Sequence, residues 1–479
     1  MTRIHELPAH RLAALVRSRE LSPVEITEHH LERIHRLDDR YGAFVTVTDE
    51  LALEQARNAQ KRAMSDTPDD LPPLHGVPVP IKDLDTLAGV RVTFGSRVYS
   101  DLVAPADSGM VAQLRAAGAV FLGKTNTPEF GATCYTENDI APPSRNPWDT
   151  RLSPGGSSGG AAAAVAAGLA PVAQASDGGG SIRIPASACG LFGLKPTRGR
   201  ISGGPDRADL AGLSTAGPVT RSVLDAALLL DTMAFDMPGD LYSAPPLPPG
   251  ETFADHVRRE PGKLRIARYA DTGSAGIAVH PDVLDAHEKA TELLRDLGHE
   301  VEEIGNPADT AFGGAFAEDF QHLWAAIASA TPIAPASEGE LTPIYRWLRE
   351  RARTTAVPQY VAASARLQRG VRAMLTATAR FDAVLSPTLA QPPAPVGHFN
   401  SGGPEAEFQR MAEFTPFTSL YNVSGQPSVN VPLHWSESGL PIGSMLTGRM
   451  GAEGTLLSLS AQLERARPWA HRVPDGWED

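Results

Sequence analysis

Two glycine-rich clusters between residues 153 and 185 constrain the fold of this chain more than any other feature. The first reads Ser-Pro-Gly-Gly-Ser-Ser-Gly-Gly at 153–160, and the second reads Asp-Gly-Gly-Gly-Ser-Ile-Arg-Ile-Pro at 177–185. Between them, an alanine-rich stretch from about Gly159 to Gly168 predicts a helix, and Pro171 to Ser176 predicts a buried strand. Flexible linkers do not flank a compact helix and strand, so the interpretation of these clusters as a flexible glycine–serine linker is disfavoured.

Nucleotide-binding loops also fit these clusters poorly. A phosphate loop needs a lysine directly after its last glycine, but Ala161 follows Gly160. A dinucleotide fingerprint needs an acidic residue about twenty residues after the cluster in a βαβ unit, and none is placed there. The chain carries a net charge of −13 and no run of Lys and Arg, which disfavours nucleic acid. We therefore expect no nucleotide cofactor and no nucleic-acid partner.

A nucleophile site fits the clusters better. Acyl transfer needs several backbone N–H donors crowded around one oxygen, and consecutive glycines permit that approach because no Cβ obstructs it. Ser181 ends the second run, so its hydroxyl is expected to lie beside those amides. Ser157 lies at a predicted helix amino terminus, and the helix and returning strand could bring it back alongside Ser181. The candidate oxyanion-hole amides are those of Gly178, Gly179 and Gly180.

A serine nucleophile also needs a base. No Gly-x-Ser-x-Gly elbow with a later Asp and His is evident, so a Ser–His–Asp set has weak support. Lysine can serve if burial keeps it neutral. Lys82 follows the apolar run Val77 to Ile81. On this local pattern two interpretations stay open: a buried base, or a strand-end lysine that reaches solvent.

The remaining chain alternates short β-rich runs with helices. Predicted strands at 77–81 and 120–122 are separated by a predicted helix at 108–117, which indicates an α/β unit with parallel strands. We therefore expect one large α/β domain with a mixed, mostly parallel central sheet flanked by helices. Residues from about 305 to 380 are expected to form a helical cover. Further strands are predicted at 264–268, 301–304, 383–385, 428–432 and 441–446, and further helices at 23–37, 51–64 and 281–297.

The segment Gly155 to Pro185 resembles the signature of the amidase signature family. Its matching features are Gly-Gly-Ser-Ser-Gly-Gly followed by Asp-x-Gly-Gly-Ser-Ile-Arg-x-Pro. The resemblance spans roughly residues 8 to 470, so the amidase domain is expected to cover 1–479, with a signature core at 60–235. Other stretches similar to the family are His75 to Asp83, Gly123 to Gly131, Asn146 to Trp148, Gly193 to Thr197 and Asn422 to Pro427.

The resemblance implies a role for each matching residue. Ser181 matches the acylated nucleophile, Ser157 matches a bridging serine that follows a cis peptide bond, and Lys82 matches the base. The amides of 178–181 match the oxyanion hole, and Gly131 matches a loop carbonyl that lines the site. The substrate pocket is expected from the loop after Gly131 and from the helical cover. Its candidate residues are Gly131, Ala132, Thr133 and Trp324.

Two positions depart from the commonest family pattern. Gly178 stands where Thr or a similar residue is usual, so the loop could be looser or could admit a bulkier acyl group. Ile184 stands where glutamine-handling members commonly carry Gln, which weighs against the A-subunit of a glutamine-dependent amidotransferase. Three alternatives remain. They are the amidotransferase A-subunit, an esterase or carbamate hydrolase on the same scaffold, and a binding module without catalytic activity.

Within the family, the sequence looks most like bacterial amidases of the 6-aminohexanoate-cyclic-dimer hydrolase type. We expect an amidase that acts on an apolar, aromatic or cyclic small-molecule amide. The two cysteines, Cys134 and Cys189, form no disulfide framework or zinc spacing, so no metal or other cofactor is expected. The amino terminus lacks the apolar core of a signal peptide, and no stretch could span a bilayer. A cytoplasmic protein without a membrane partner is expected, and a homodimer is left open.

Overall fold

Sixteen α-helices and eleven β-strands make up the part of the chain that the computed structural model describes, residues 3–205, 207–274 and 276–477. The expected domain bounds of 1–479 extend beyond these residues at both ends. The helices are α1 Ala9–Arg17, α2 Pro23–Tyr41, α3 Asp49–Ser65, α4 Gly109–Ala116, α5 Gly159–Ala166, α6 Arg183–Cys189, α7 Val223–Met233, α8 Phe253–Val257, α9 Pro281–Asp296, α10 Pro307–Phe312, α11 Phe316–Ala330, α12 Pro343–Thr354, α13 Val357–Thr378, α14 Pro404–Phe414, α15 Leu420–Ser424 and α16 Glu453–Ala466. The strands are β1 Phe44–Val47, β2 Ile81–Lys82, β3 Gly123–Thr125, β4 Val172–Asp177, β5 Phe192–Lys195, β6 Thr215–Thr220, β7 Arg265–Arg268, β8 Glu300–Glu303, β9 Ala383–Pro387, β10 Ser428–Trp435 and β11 Pro441–Gly448.

Two sheets organise these elements into one α/β domain. The larger sheet has eight strands in the order β4-β6-β5-β10-β11-β9-β7-β8, and the smaller sheet has three in the order β1-β3-β2. Strand β2 pairs in parallel with β3, as the predicted strand–helix–strand unit requires. The α/β class and the flanking helices are therefore confirmed.

The prediction of a mostly parallel central sheet is wrong. Only β7–β8 and β7–β9 are parallel, and the other five neighbouring pairs of the large sheet are antiparallel. The prediction assumed that strands joined by a helix lie side by side. Strands β4 and β5, joined through α6, do run in the same direction, but β6 lies between them and pairs antiparallel with both.

The helix between the two glycine clusters is buried along its whole length. All eight residues of α5 are buried, and seven of them are Gly or Ala. Such small side chains let α5 pack closely against β4 and the small sheet. This close packing brings the amino terminus of α5, where Ser157 lies, next to the strand that ends at Lys82.

Residues 307–378 are mainly helical, through α10 to α13. Helix α11 packs against both α12 and α13, and α10 packs against α13. Within the described ranges, no helix is both long and apolar enough to cross a membrane.

Candidate active site

Lys82 ends β2 and is completely buried. Its Nζ lies 2.8 Å from Ser157 Oγ and 3.1 Å from Ser176 Oγ, and its backbone N–H donates to Gln174 Oε1 at 2.9 Å. Burial lowers the pKa of Lys82 from 10.5 to about 7, although the carboxylates of Asp85 and Asp177 act in the opposite direction. Of the two interpretations left open by the sequence, the structure therefore supports the buried lysine.

Two other buried lysines show why the contact with serine matters more than burial. Lys124 forms an ion pair with Asp83 at 2.9 Å. Burial lowers the pKa of Lys195 to about 7 as well, but its Nζ donates to the backbone carbonyl of Pro196 and, among the described residues, makes no hydrogen bond to a hydroxyl. Among these three, only Lys82 has a serine oxygen within proton-transfer distance.

Ser157 is held between the two clusters and a third loop. The Gly156–Ser157 peptide bond is cis, as the family resemblance implies. The next residue, Ser158, donates its backbone N–H to the carbonyl of Ser181 at 3.3 Å, which joins the first cluster to the second. Gly131 lies on the other side, so close that a Cβ there would be 3.2 Å from Ser157 Oγ. Both candidate serines are buried.

A buried ion pair braces the loop that carries Ser181. Asp177 accepts hydrogen bonds from two guanidinium nitrogens of Arg183, both at 2.9 Å, and from Asn422 Nδ2 at 2.8 Å. Burial alone raises the pKa of Asp177, but the positive charge of Arg183 outweighs it and leaves that pKa below its ordinary value. The Asp177 carboxylate also holds the shape of the loop, because its Oδ1 accepts a hydrogen bond from the Gly180 N–H at 2.7 Å.

The four amides of this loop are therefore not equivalent. The Gly180 N–H is engaged by Asp177. Within the described part of the chain, the backbone N–H groups of Gly178, Gly179 and Ser181 make no hydrogen bond to protein atoms. Buried or half-buried amides without protein partners next to a serine are suited to receive a negatively charged oxygen.

The candidate pocket residues lie around the same two loops. Trp324 donates its indole N–H to the carbonyl of Ala132 at 3.1 Å, and its ring lies over Gly178. The Thr133 hydroxyl donates a hydrogen bond to the Tyr135 carbonyl at 2.8 Å, so its proton is already engaged within the protein.

The chain is similar to known amidases over almost its whole length. The family described as Amidase matches residues 25–457. An acylamidase of Rhodococcus erythropolis is 34% identical over 489 residues, covering 98% of this chain and 98% of the relative. The chain belongs to the amidase signature family. It is accordingly an amidohydrolase.

Solved structures of other amidases share the whole fold. The structure of 6-aminohexanoate cyclic dimer hydrolase with substrate superposes with a TM-score of 0.90 at 32% identity, covering 98% of this chain and 99% of that chain. A bacterial aryl acylamidase of the same family gives a TM-score of 0.87 at 27% identity, with 98% of each chain covered. The similarity therefore extends from end to end and is not limited to the signature.

Sequence analysis missed several residues that contact the candidate site of this amidase. Gln174 and Ser176 both contact Lys82, and they alternate along β4 with small apolar residues. That alternation of polar side chains in a predicted buried strand was a signal that could have revealed them. Thr418, which donates to the Gly179 carbonyl at 2.6 Å, had no such local signal.

Neither cysteine has the character of a nucleophile in this structure. Cys134 and Cys189 are free and buried, and burial raises the pKa of both thiols. No group of three or more His, Cys, Asp or Glu side chains among the described residues is arranged to hold a metal ion.

Proposed function

We propose that this amidase hydrolyses a carboxamide C–N bond through Lys82, Ser157 and Ser181, with an acyl-enzyme intermediate. The observation that carries the proposal is the 2.8 Å separation between Lys82 Nζ and Ser157 Oγ, with the lysine buried. A lysine with a pKa near 7 is partly neutral at neutral pH, so it can accept a proton.

The reaction proceeds in two halves. Neutral Lys82 takes the proton of Ser157, while Ser157 takes the proton of Ser181, and the Ser181 oxygen attacks the carbonyl carbon. As the tetrahedral intermediate collapses, Ser157 gives its proton to the leaving amine and regains one from Lys82. Water then attacks the ester of Ser181 by the same relay, which releases the carboxylic acid and restores the free serine.

The oxyanion of each tetrahedral intermediate lies among backbone amides. The N–H groups of Gly178, Gly179 and Ser181 are the donors best suited to it, because they have no protein partner. The Gly180 N–H instead holds the loop in shape through Asp177. Removing one oxyanion-hole donor in other enzymes costs about 10²–10³ in kcat, so an intact loop is a large part of the rate.

The substrate is an uncharged apolar, aromatic or cyclic amide. Support comes from the apolar side chains that surround Trp324 and from the similarity to a cyclic-amide hydrolase and two acylamidases. The residues at about 305–380 supply Trp324 and form the helical cover over this pocket. Esters and carbamates can pass through the same acyl-enzyme, so they belong to the test below.

The test combines labelling of Ser181 with a substrate panel. Wild-type enzyme should react with a fluorophosphonate probe and cleave at least one member of a panel of anilides, alkyl amides, cyclic amides and amino-acid amides, which is run beside matching esters and carbamates. Ser181→Ala should lose both labelling and turnover. On the best substrate, kcat/KM should rise with pH through about 7, because the Lys82 proton must leave before it can act as base.

Three results would contradict the proposal. Labelled wild-type enzyme that cleaves only esters or carbamates would change the substrate class. Turnover that depends on glutamine and a co-purified partner chain would favour the amidotransferase subunit. Labelling or turnover that survives in Ser181→Ala would overturn the assignment of the nucleophile.

A further inference from the structure

A row of aromatic rings leads along α11 toward the loop that carries Ser181. Phe316, Phe320 and Trp324 follow one another at helical i, i+4 spacing, so they share one face of the helix. Their rings stack nearly parallel, with centroids 6.1 Å apart for Phe316 and Phe320 and 5.6 Å apart for Phe320 and Trp324. We call these three side chains the aromatic row.

The aromatic row ends against the loop of residues 178–181, which carries Ser181 and which we call the oxyanion loop. A Cβ at Gly178 would lie 3.1 Å from Trp324 Cη2, and a Cβ at Gly179 would lie 3.5 Å from Phe320 Cζ. The first distance is tighter than ordinary van der Waals contact, so the indole occupies the space that a side chain at 178 would need. The absence of a side chain at Gly178 therefore does not open the loop, because Trp324 fills that space.

Trp324 also connects the oxyanion loop to the loop beside Ser157. Its indole N–H donates to the Ala132 carbonyl at 3.1 Å, one residue after Gly131. A Cβ at Gly131 would lie 3.2 Å from Ser157 Oγ, so this loop borders the candidate proton relay. One side chain thus contacts both loops between which a bound amide must lie.

The surroundings of the aromatic row are apolar, but the rings are not fully buried. The row packs against a cluster whose buried members are Leu213, Leu323, Ala363, Leu367 and Val423, while the side chains of the row are only partly buried. Charged groups on α11 are paired with other residues: Asp319 binds Arg366, and Glu318 lies 3.9 Å from His322. Partly exposed aromatic side chains beside a reacting centre are suited to pack against another aromatic ring.

We propose that Trp324, seated in the space left by Gly178, is the specificity-determining wall of the site and selects amides that carry an aromatic ring. This inference rests on the proposed function and deepens it. The aromatic ring can belong to the acyl part or to the amine part of the substrate, and the experiment separates these sources.

The main experiment compares planar and saturated rings of similar size. One pair, benzamide and cyclohexanecarboxamide, places the ring on the acyl side, and the other, acetanilide and N-cyclohexylacetamide, places it on the amine side. Within each pair, the aryl-to-cyclohexyl ratio of kcat/KM is compared between wild type and Trp324→Ala, so that differences in intrinsic reactivity cancel. We expect the ratio of one pair to fall about tenfold, as the loss of an aromatic pairing implies. Unchanged ratios in both pairs would overturn the proposal.

Matched variants separate the ring from the hydrogen bond and from general damage to the helical cover. Trp324→Phe keeps a ring but loses the bond to Ala132, so its ratio should stay within about twofold of wild type. Trp347 on α12 packs its ring 5.6 Å from Phe408, and Trp347→Ala should leave both ratios unchanged. An equal change of ratio in Trp347→Ala would show that the effect is not specific to Trp324.

A double variant tests the coupling between Trp324 and Gly178. Gly178→Ala alone should lower kcat/KM, because its methyl group meets the indole at 3.1 Å. Adding Trp324→Ala removes the indole, so the double variant should turn over a cyclohexyl amide faster than Gly178→Ala does. The Ser214 hydroxyl, 2.9 Å from the added Cβ, can rotate away in both variants. A further loss of activity in the double variant would contradict the coupling.

Binding to an enzyme that cannot turn over distinguishes failure of this inference from failure of the proposed reaction. Ser181→Ala should bind the preferred aryl amide more tightly than its cyclohexyl partner by calorimetry, and Ser181→Ala/Trp324→Ala should not. If wild type cleaves no amide but this difference in binding is seen, the proposed reaction is wrong and the role of Trp324 in selecting aromatic rings stands. If wild type cleaves amides but Trp324→Ala changes neither the binding difference nor the aryl-to-cyclohexyl ratio, the role of Trp324 is wrong and the proposed reaction stands.

Discussion

Replacement of Lys82 by methionine should abolish turnover, and the stability of the variant relative to wild type should rise as the pH falls. Lys82 is fully buried, and burial lowers its pKa from 10.5 to about 7. In the unfolded chain the lysine keeps its ordinary pKa, so between pH 7 and 10.5 the unfolded state binds a proton that the folded state lacks. Wild-type stability therefore rises with pH across this window, while the methionine variant lacks this contribution.

The size of the effect follows from the same two pKa values. A difference of one bound proton changes the free energy of unfolding by about 1.4 kcal/mol per pH unit. Between pH 9 and pH 7 the folded lysine goes from neutral to half-protonated, so the free energy of unfolding of the variant relative to wild type should rise by about 2 kcal/mol. The hydrogen bonds to Ser157 and Ser176 lost with the amine reduce the stability of the variant at both pH values, so they cancel in this difference.

Urea unfolding at pH 7 and pH 9, followed by circular dichroism, measures this difference. Lys124→Met is the matched control, because Lys124 is also buried but pairs with Asp83. Its removal leaves the buried Asp83 carboxylate without a charged partner, with only hydrogen bonds from Thr93, and should destabilise the fold by about 3–5 kcal/mol. If the gap between Lys82→Met and wild type is the same at both pH values, Lys82 does not change its charge there, and the reasoning is refuted.

Two further predictions concern the loop beside Ser157. Gly131→Ala should lower kcat by about 10²-fold, because its Cβ would crowd Ser157 Oγ at 3.2 Å and misplace it; near wild-type kcat would contradict this. It should also destabilise the fold, because Gly131 has a φ of +69° and the Cβ would lie 2.7 Å from Leu84 Cδ1. Glu129 accepts hydrogen bonds from Ser96 Oγ at 2.6 Å and from the backbone and hydroxyl of Thr342. Glu129→Ala should therefore cost about 1–3 kcal/mol in urea unfolding. Glu129→Gln should cost less, since the Ser96 hydroxyl can turn to accept from the amide; equal losses in both variants would count against this role.

Local sequence rules predicted many of the elements but not the order of the large sheet. Helix α2 begins at Pro23, as predicted, and it is capped locally: Ser22 Oγ accepts from the Val24 amide, and Glu25 accepts from the Ser22 amide. Strand β6 was not predicted, because its residues Gly217 and Pro218 are both unfavourable for a strand. Its central place comes from pairing with β4 and β5 on either side, which no local pattern records.

The sequence by itself determined the chemical types present and their order along the chain: a lysine after an apolar run, and two serines in glycine clusters. These follow from short segments in which backbone freedom and residue type decide the outcome. Only the tertiary structure decided that Lys82 is buried against Ser157, that Gly180 donates to Asp177, and that Trp324 lies over Gly178. Burial, pKa and close packing depend on which distant segments meet, and the strand order of the large sheet controls that meeting.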